Sequence, residues 1–201
     1  MNHNDLIHST WKNFQSGKRE AFAHLYNIYL NPLYFYGTKL CKDEGLVKDA
    51  IQEVFIDLYL KREKNKTNPE NLKFYLILAL KRNLIRKLKK NRKLLRYNSP
   101  SELMFEPEYC IEKKIIEQET DNEVSLGVFN ALKKLPAKQK EAIYLRFNES
   151  LEYNEIAELL NISVESVRKQ VYRALKKIRE SLGNKTMLFW LTFSSGIQSF
   201  Y

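Results

Sequence analysis

The residues best suited to chemistry in this chain are cations, and they are spaced for helices. Between Ser163 and Arg179 lie Arg168, Lys169, Arg173, Lys176, Lys177 and Arg179, with Tyr172 among them. Val164, Val167, Val171, Leu175 and Ile178 recur at helical spacing and form the single apolar stripe of the same segment. Guanidinium and ammonium groups held in this way neutralise phosphates and donate to base edges. Just upstream, Tyr153 to Leu160 reads as a shorter amphipathic helix, and Asn161-Ile162-Ser163 as the turn between the two. Asn161 tolerates a left-handed backbone, and Ala157 is small where helices must cross. Ser163 can cap the second helix, and Glu165 suits its positive end. A helix-turn-helix with a basic second helix is built to lie in a major groove. Ser163, Glu165, Ser166, Arg168 and Lys169, near the helix start, are predicted to face base edges. Tyr172 and Arg173 follow, and Lys176 and Lys177 are predicted to reach phosphates.

A second cationic helix runs from about Leu72 to Lys93. Leu76, Ile77, Leu80, Leu84, Ile85 and Leu88 supply its apolar face, and Lys81, Arg82, Arg86, Lys87 and Lys90 lie on the others. Phe74 and Tyr75 at its start offer rings to an unstacked base. In the loop before it, Asn65, Asn68 and Asn71 can pair with a base edge, while Lys64 and Lys66 can contact phosphate. Further upstream, Asp49, Gln52, Glu53 and Asp57 stand at i, i+3, i+4 and i+8, one polar face of a helix suited to a large partner.

Catalysis on nucleic acid calls for clustered carboxylates that hold metals, or for a nucleophile with its base. Here the acids lie along a helix face or between the two helical regions. His3, His8 and His24 are scattered, and Cys41 and Cys110 form no CxxC pair. No catalytic residue, metal site, cofactor or small-molecule substrate is expected.

The elements that must carry these groups are helical throughout. Glycine (6) and proline (5) are scarce among 201 residues, which favours an all-α chain. Phe22, Leu25, Tyr26, Tyr29, Leu33, Tyr36 and Leu40 keep helical spacing around Pro32, which allows two helices or one kinked helix. Val47, Ala50, Ile51, Val54, Phe55, Leu58 and Tyr59 form the next stripe. Residues 61–100 carry a net charge of +12, residues 101–123 one of −6, and residues 124–201 one of +5. Two basic blocks around an acidic stretch predict two separate polyanion contacts. The expected organisation is a helical domain over 1–96, an acidic linker over 97–121, a helix-turn-helix (winged-helix-like) domain over 122–183 and a short apolar tail over 184–201. The apolar run Met187–Phe193 is far short of the roughly 20 residues that span a bilayer. A cytoplasmic chain without membrane insertion is expected.

On these residues the chain resembles the extracytoplasmic-function sigma factors of the sigma-70 superfamily. Leu135-Pro136, Leu145-Arg146 and Glu155-Ile156-Ala157 resemble the domain that reads the −35 element. Asp49-Ala50-Ile51-Gln52-Glu53-Val54-Phe55 resembles the signature of the helix that docks on the polymerase clamp. Arg82-Asn83 resembles the paired residues of the −10 helix. The resemblance implies core RNA polymerase and promoter DNA as partners, with an anti-sigma factor as a further one. It implies polymerase contacts at Asp49, Gln52, Glu53, Phe55 and Asp57, and −10 contacts at Arg82, Asn83 and their helical neighbours. Glu152 stands where the family commonly places a capping Ser or Thr, which implies a cap weaker by roughly 1 kcal/mol. The alternative, a helix-turn-helix activator or repressor, would need a ligand-sensing domain in residues 1–120.

Overall fold

A computed structural model describes residues 3–64, 71–95, 105 and 122–182, and every regular element among them is helical. The chain divides into two compact units, Met1–Met104 and Phe105–Tyr201.

The first unit is built from α1 (His3–Gln15), α2 (Arg19–Leu40), α3 (Glu44–Leu60) and α4 (Leu72–Leu95). Its core joins Leu25, Leu33 and Tyr36 of α2 to Val47, Ile51 and Leu58 of α3 and to Leu72, Leu76, Ile77, Leu80 and Leu84 of α4. Proline inside a helix costs about 3 kcal/mol, yet α2 runs on through Pro32 as one element. Tyr29, Leu33 and Tyr36 stay buried on both sides of the proline. Their packing holds the two halves in one register.

Helix α1 has no counterpart among the predicted elements, because His3 to Thr10 is polar. Its hold on the core is aromatic. Trp11 and Phe14 are buried, with ring centroids 5.2 Å apart, and Phe14 stacks on Phe22 at 5.9 Å. Phe22 meets the edge of Tyr59 at 5.2 Å, and Tyr26 lies 4.7 Å from Phe55. Gly17, at φ 86, ends α1 in the left-handed conformation that glycine adopts without steric cost. Gly37 serves a different need: a Cβ there would stand 2.6 Å from Cγ1 of Val47, so its absence lets α2 and α3 approach.

The second unit contains α5 (Asn122–Lys133), α6 (Ala137–Ile143), α7 (Tyr153–Leu160) and α8 (Val164–Leu182). Helix α6 widens into a π turn over Tyr144–Asn148, where the Glu149 amide donates to the Tyr144 carbonyl at 3.2 Å. Helix α8 packs against α5, α6 and α7 through Val167, Val171, Ala174 and Ile178. Val164 and Leu175, which periodicity put in that stripe, are half-buried at its margins, and Ala174 takes the central place. Phe105, expected in the linker, is buried against Tyr144 at 5.4 Å between centroids.

The turn between α7 and α8 follows its residues. Asn161 takes φ 51 and ψ 50, and the Ile162 amide closes on the Ala157 carbonyl at 3.1 Å. The Ser163 hydroxyl accepts from the Ser166 amide at 3.2 Å. A left-handed residue bearing a Cβ costs about 1–2 kcal/mol unless it is Asn or Asp. Asn161→Ala should therefore destabilise the protein by about 1 kcal/mol, while Asn161→Gly stays close to wild type. Thermal melting of the two variants checks this, and equal midpoints would refute it.

Candidate polymerase and nucleic-acid interfaces

The outer face of α3 is set by its core face. With Val47, Ala50, Ile51, Val54, Phe55 and Leu58 buried, Asp49, Gln52, Ile56 and Leu60 are turned outward together with Asp57. Ile56 is 56% exposed and Leu60 70%. The face is thus a polar rim around two adjacent, uncovered aliphatic groups. Periodicity singled out only its polar members. The signal for Ile56 was available: it is an apolar residue out of phase with the buried stripe. Phe55, expected to contact polymerase, is 2% exposed and packs on Phe22 and Tyr26. It packs in the core and holds α3 in place. Asp57 is exposed and bonded to Lys61 at 3.0 Å.

Glu53 does something the sequence did not indicate. Its carboxylate accepts from Lys87 Nζ at 2.6 Å, Asn83 Nδ2 at 2.8 Å and Arg86 Nη2 at 3.3 Å. Three residues expected on DNA thus meet one expected on polymerase. Asn83 is 8% exposed, with its amide nitrogen committed to Glu53 and its Oδ1 buried. It belongs to the α3–α4 interface, turned away from the exposed cations of α4. Lys87 is largely covered as well, whereas Arg86 remains mostly exposed. A lysine bonded to a carboxylate at this distance offers phosphate its charge only by changing partners. Glu53 and Lys87 therefore tie α3 to α4, and neither is a free contact group.

Hydrogen bonds from Lys87 and then Asn83 hold the Glu53 carboxyl below the ordinary glutamate range. A group whose folded pKa is depressed stabilises the fold above its unfolded pKa and loses that effect as pH falls through the folded value. The stability difference between the protein and its Glu53→Gln variant should thus be steady near neutrality and close in acid. Thermal melts across a pH series measure it, and a gap unchanged in acid would refute the tie.

Elsewhere on α4, Arg82, Lys89 and Lys90 are exposed, and Lys81 and Tyr75 are half-buried. Lys64 and Asn71 are exposed on either side of the intervening segment. Asn65, Lys66 and Asn68 lie outside the described residues.

In the second unit the expected face is present on α8. Arg168, Lys169, Arg173, Lys176 and Lys177 are exposed, and Tyr172 is 67% exposed. Lys169 donates to Glu165 at 2.6 Å, so each must leave the other to meet a base. Ser166 is half-buried and shares a 2.8 Å hydrogen bond with Ser163. Before α7, Glu152 is drawn to Arg146, whose Nη1 donates to Glu152 Oε1 at 3.1 Å and to the Leu151 carbonyl at 2.9 Å. The Glu155 carboxylate accepts from the Glu152 amide at 2.8 Å. The helix start thus gains a bond to Glu155 where the sequence implied only a weak cap.

No group of acids, histidines and cysteines among the described residues could hold a metal. No helix among them is long and apolar enough to cross a membrane.

Two helical units, each presenting a cationic helix and one of them a helix-turn-helix, have the build of a DNA-binding protein. Residues 25–94 match the family model for sigma-70 region 2, and residues 127–178 that for sigma-70 region 4. The RNA polymerase sigma factor SigV of Bacillus subtilis is 30% identical over 141 residues, covering 70% of this chain and 78% of that protein. The ECF RNA polymerase sigma factor SigW of the same organism is 25% identical over 183 residues, covering 88% and 97%. The sigma factor RpoE of Bartonella quintana, solved with the anti-sigma factor NepR, shares the fold. Its TM-score is 0.52 at 18% identity, over 80% of this chain and 96% of that one. The chain belongs to the sigma-70 family of RNA polymerase sigma factors. The region 2 match over the first unit decides against an activator or repressor with a sensing domain.

Proposed function

We propose that the first unit docks on core RNA polymerase through the outer face of α3 and opens the −10 DNA with α4 and the segment before it, while α8 reads the −35 duplex. Docking falls to Asp49, Gln52, Ile56 and Leu60. Arg82, Arg86 and Lys90 meet the −10 backbone, and Arg168, Lys169, Tyr172, Arg173, Lys176 and Lys177 face the −35 element. The observation that carries this reading is the pair of exposed cationic helices in two separate units that match regions 2 and 4. The protein performs no chemistry of its own in this reading, and it acts in the cytoplasm. The complex of RpoE with NepR supports an anti-sigma factor as a further partner. Run-off transcription with purified core polymerase on genomic fragments tests the whole. Discrete transcripts that require this chain are expected, and their absence at saturating protein would overturn the proposal.

The reading also separates two kinds of contact along α8. Lys177→Ala should weaken binding to all duplexes alike and lower the salt slope by about one phosphate contact. Lys169→Ala should change the preferred sequence, at about 1–3 kcal/mol if the contact is bidentate. Selection by the holoenzyme from a random duplex library checks both, and an unchanged consensus for Lys169→Ala would refute direct readout.

A further inference from the structure

Tyr153, the first residue of α7, belongs to none of the contact sets above, yet two guanidinium groups lie over its ring. Arg146 Cζ is 4.8 Å from the ring centroid and Arg168 Cζ 5.6 Å. The two arginines are held very differently. Arg146 is pinned by its bonds to the Leu151 carbonyl and the Glu152 carboxylate. Arg168 is exposed on the first turns of α8, and no hydrogen bond or ion pair of its side chain is found among the described residues. Its neighbours are more constrained, with Lys169 bonded to Glu165 and Ser166 to Ser163.

Contact with a ring restrains a guanidinium without using a single N–H donor, because the attraction is between charge and π cloud. A free arginine side chain must give up rotamer freedom when it engages a base. One already held over Tyr153 gives up less and keeps its donors for the two acceptors of a guanine edge. The chain of support runs from Arg146, through the turn at Leu151 and Glu152, to the ring and then to the helix that enters the groove.

We infer that Tyr153 is a positioning residue for promoter readout, its ring holding the Arg168 guanidinium in the pose that reads the −35 duplex. The inference rests on α8 being the −35 reader. A double-mutant cycle on holoenzyme reconstituted with core polymerase tests it, with affinity and base preference read on a randomised duplex library and on the duplex that wild type selects. Arg168→Ala should relax one base position. Tyr153→Leu should relax that same position, with an affinity loss of about three- to tenfold. Once Arg168 is already Ala, Tyr153→Leu should add little further loss. Tyr153→Phe, which keeps the ring, should restore the preference, a recovery that loss of a merely structural hydroxyl contact would not give. Tyr153→Met repeats the test should the leucine variant fail to fold. Additive losses, or a consensus unchanged by Tyr153→Leu while Arg168→Ala relaxes it, would overturn the inference alone. No effect of Arg168→Ala would overturn the reading beneath it as well.

Discussion

The chain carrying Ile56→Asp is expected to fold and to fail to assemble with core RNA polymerase. Ile56 is more than half exposed on a helix whose opposite side is fully packed, so a polar side chain there meets water in the free protein and leaves the core untouched. In the docked state the same carboxylate would be desolvated against the partner. Removing an aliphatic anchor from the centre of an interface costs about 2–4 kcal/mol, a loss of roughly thirtyfold to a thousandfold in affinity. Leu60→Asp should act in the same direction, and Asp57→Ala, whose partner is the exposed Lys61, should change little. Glu53→Gln provides the sharper contrast. Because its carboxylate faces α4, assembly should survive it while DNA opening suffers. Sizing chromatography with core polymerase reads each variant. Wild-type co-migration of Ile56→Asp would remove the apolar pair from the docking surface.

Replacing residues 66–70 with a Gly/Ser linker should spare docking and closed-complex formation and abolish melting. This segment, Lys66-Thr67-Asn68-Pro69-Glu70, joins α3, the proposed docking helix, to the cationic helix α4, and it carries one amide and one lysine with no aliphatic or aromatic side chain to pack. A protein that opens DNA must offset lost stacking with contacts to the displaced base, and the step most easily unstacked is pyrimidine–purine. The variant should regain activity on a template already mismatched across the −10 region, where unpairing no longer opposes binding. Permanganate reactivity of unpaired thymines decides the matter. Reactivity at wild-type levels on paired DNA would show the segment to be a connector.

The helical class, the helix-turn-helix and its left-handed Asn161 were legible because each rests on local spacing or on one residue's backbone preference. What escaped was set by tertiary contact. Helix α1 is mostly polar from His3 to Thr10 and is held by two aromatic side chains, Trp11 and Phe14, the second of which stacks on Phe22 of the next helix. Asp49 to Phe55 reads as one docking signature, yet burial divides it. Phe55 faces the core, Glu53 faces α4, and Asp49 and Gln52 remain outside. Nothing in the local pattern shows that Glu53 lies against residues thirty and thirty-four positions later. Periodicity gives the face of a helix but not the neighbour that covers it. The division of α4 into exposed Arg82 and Lys90 and covered Asn83 and Lys87 has the same origin.

The close approach at Gly37 also constrains how this protein can drift over generations. A methyl group at position 37 collides with one γ-carbon of Val47, and valine's branched side chain has few rotamers with which to step aside. Gly37→Ala alone is therefore opposed by Val47, but the pair can change together. Gly37→Ala should be poorly tolerated in the present background and accepted beside Val47→Ala, so descendants that lose the glycine should carry a smaller residue at position 47. Positions 37 and 47 should therefore change together, although they lie on different helices and neither touches polymerase or DNA in the proposed assembly.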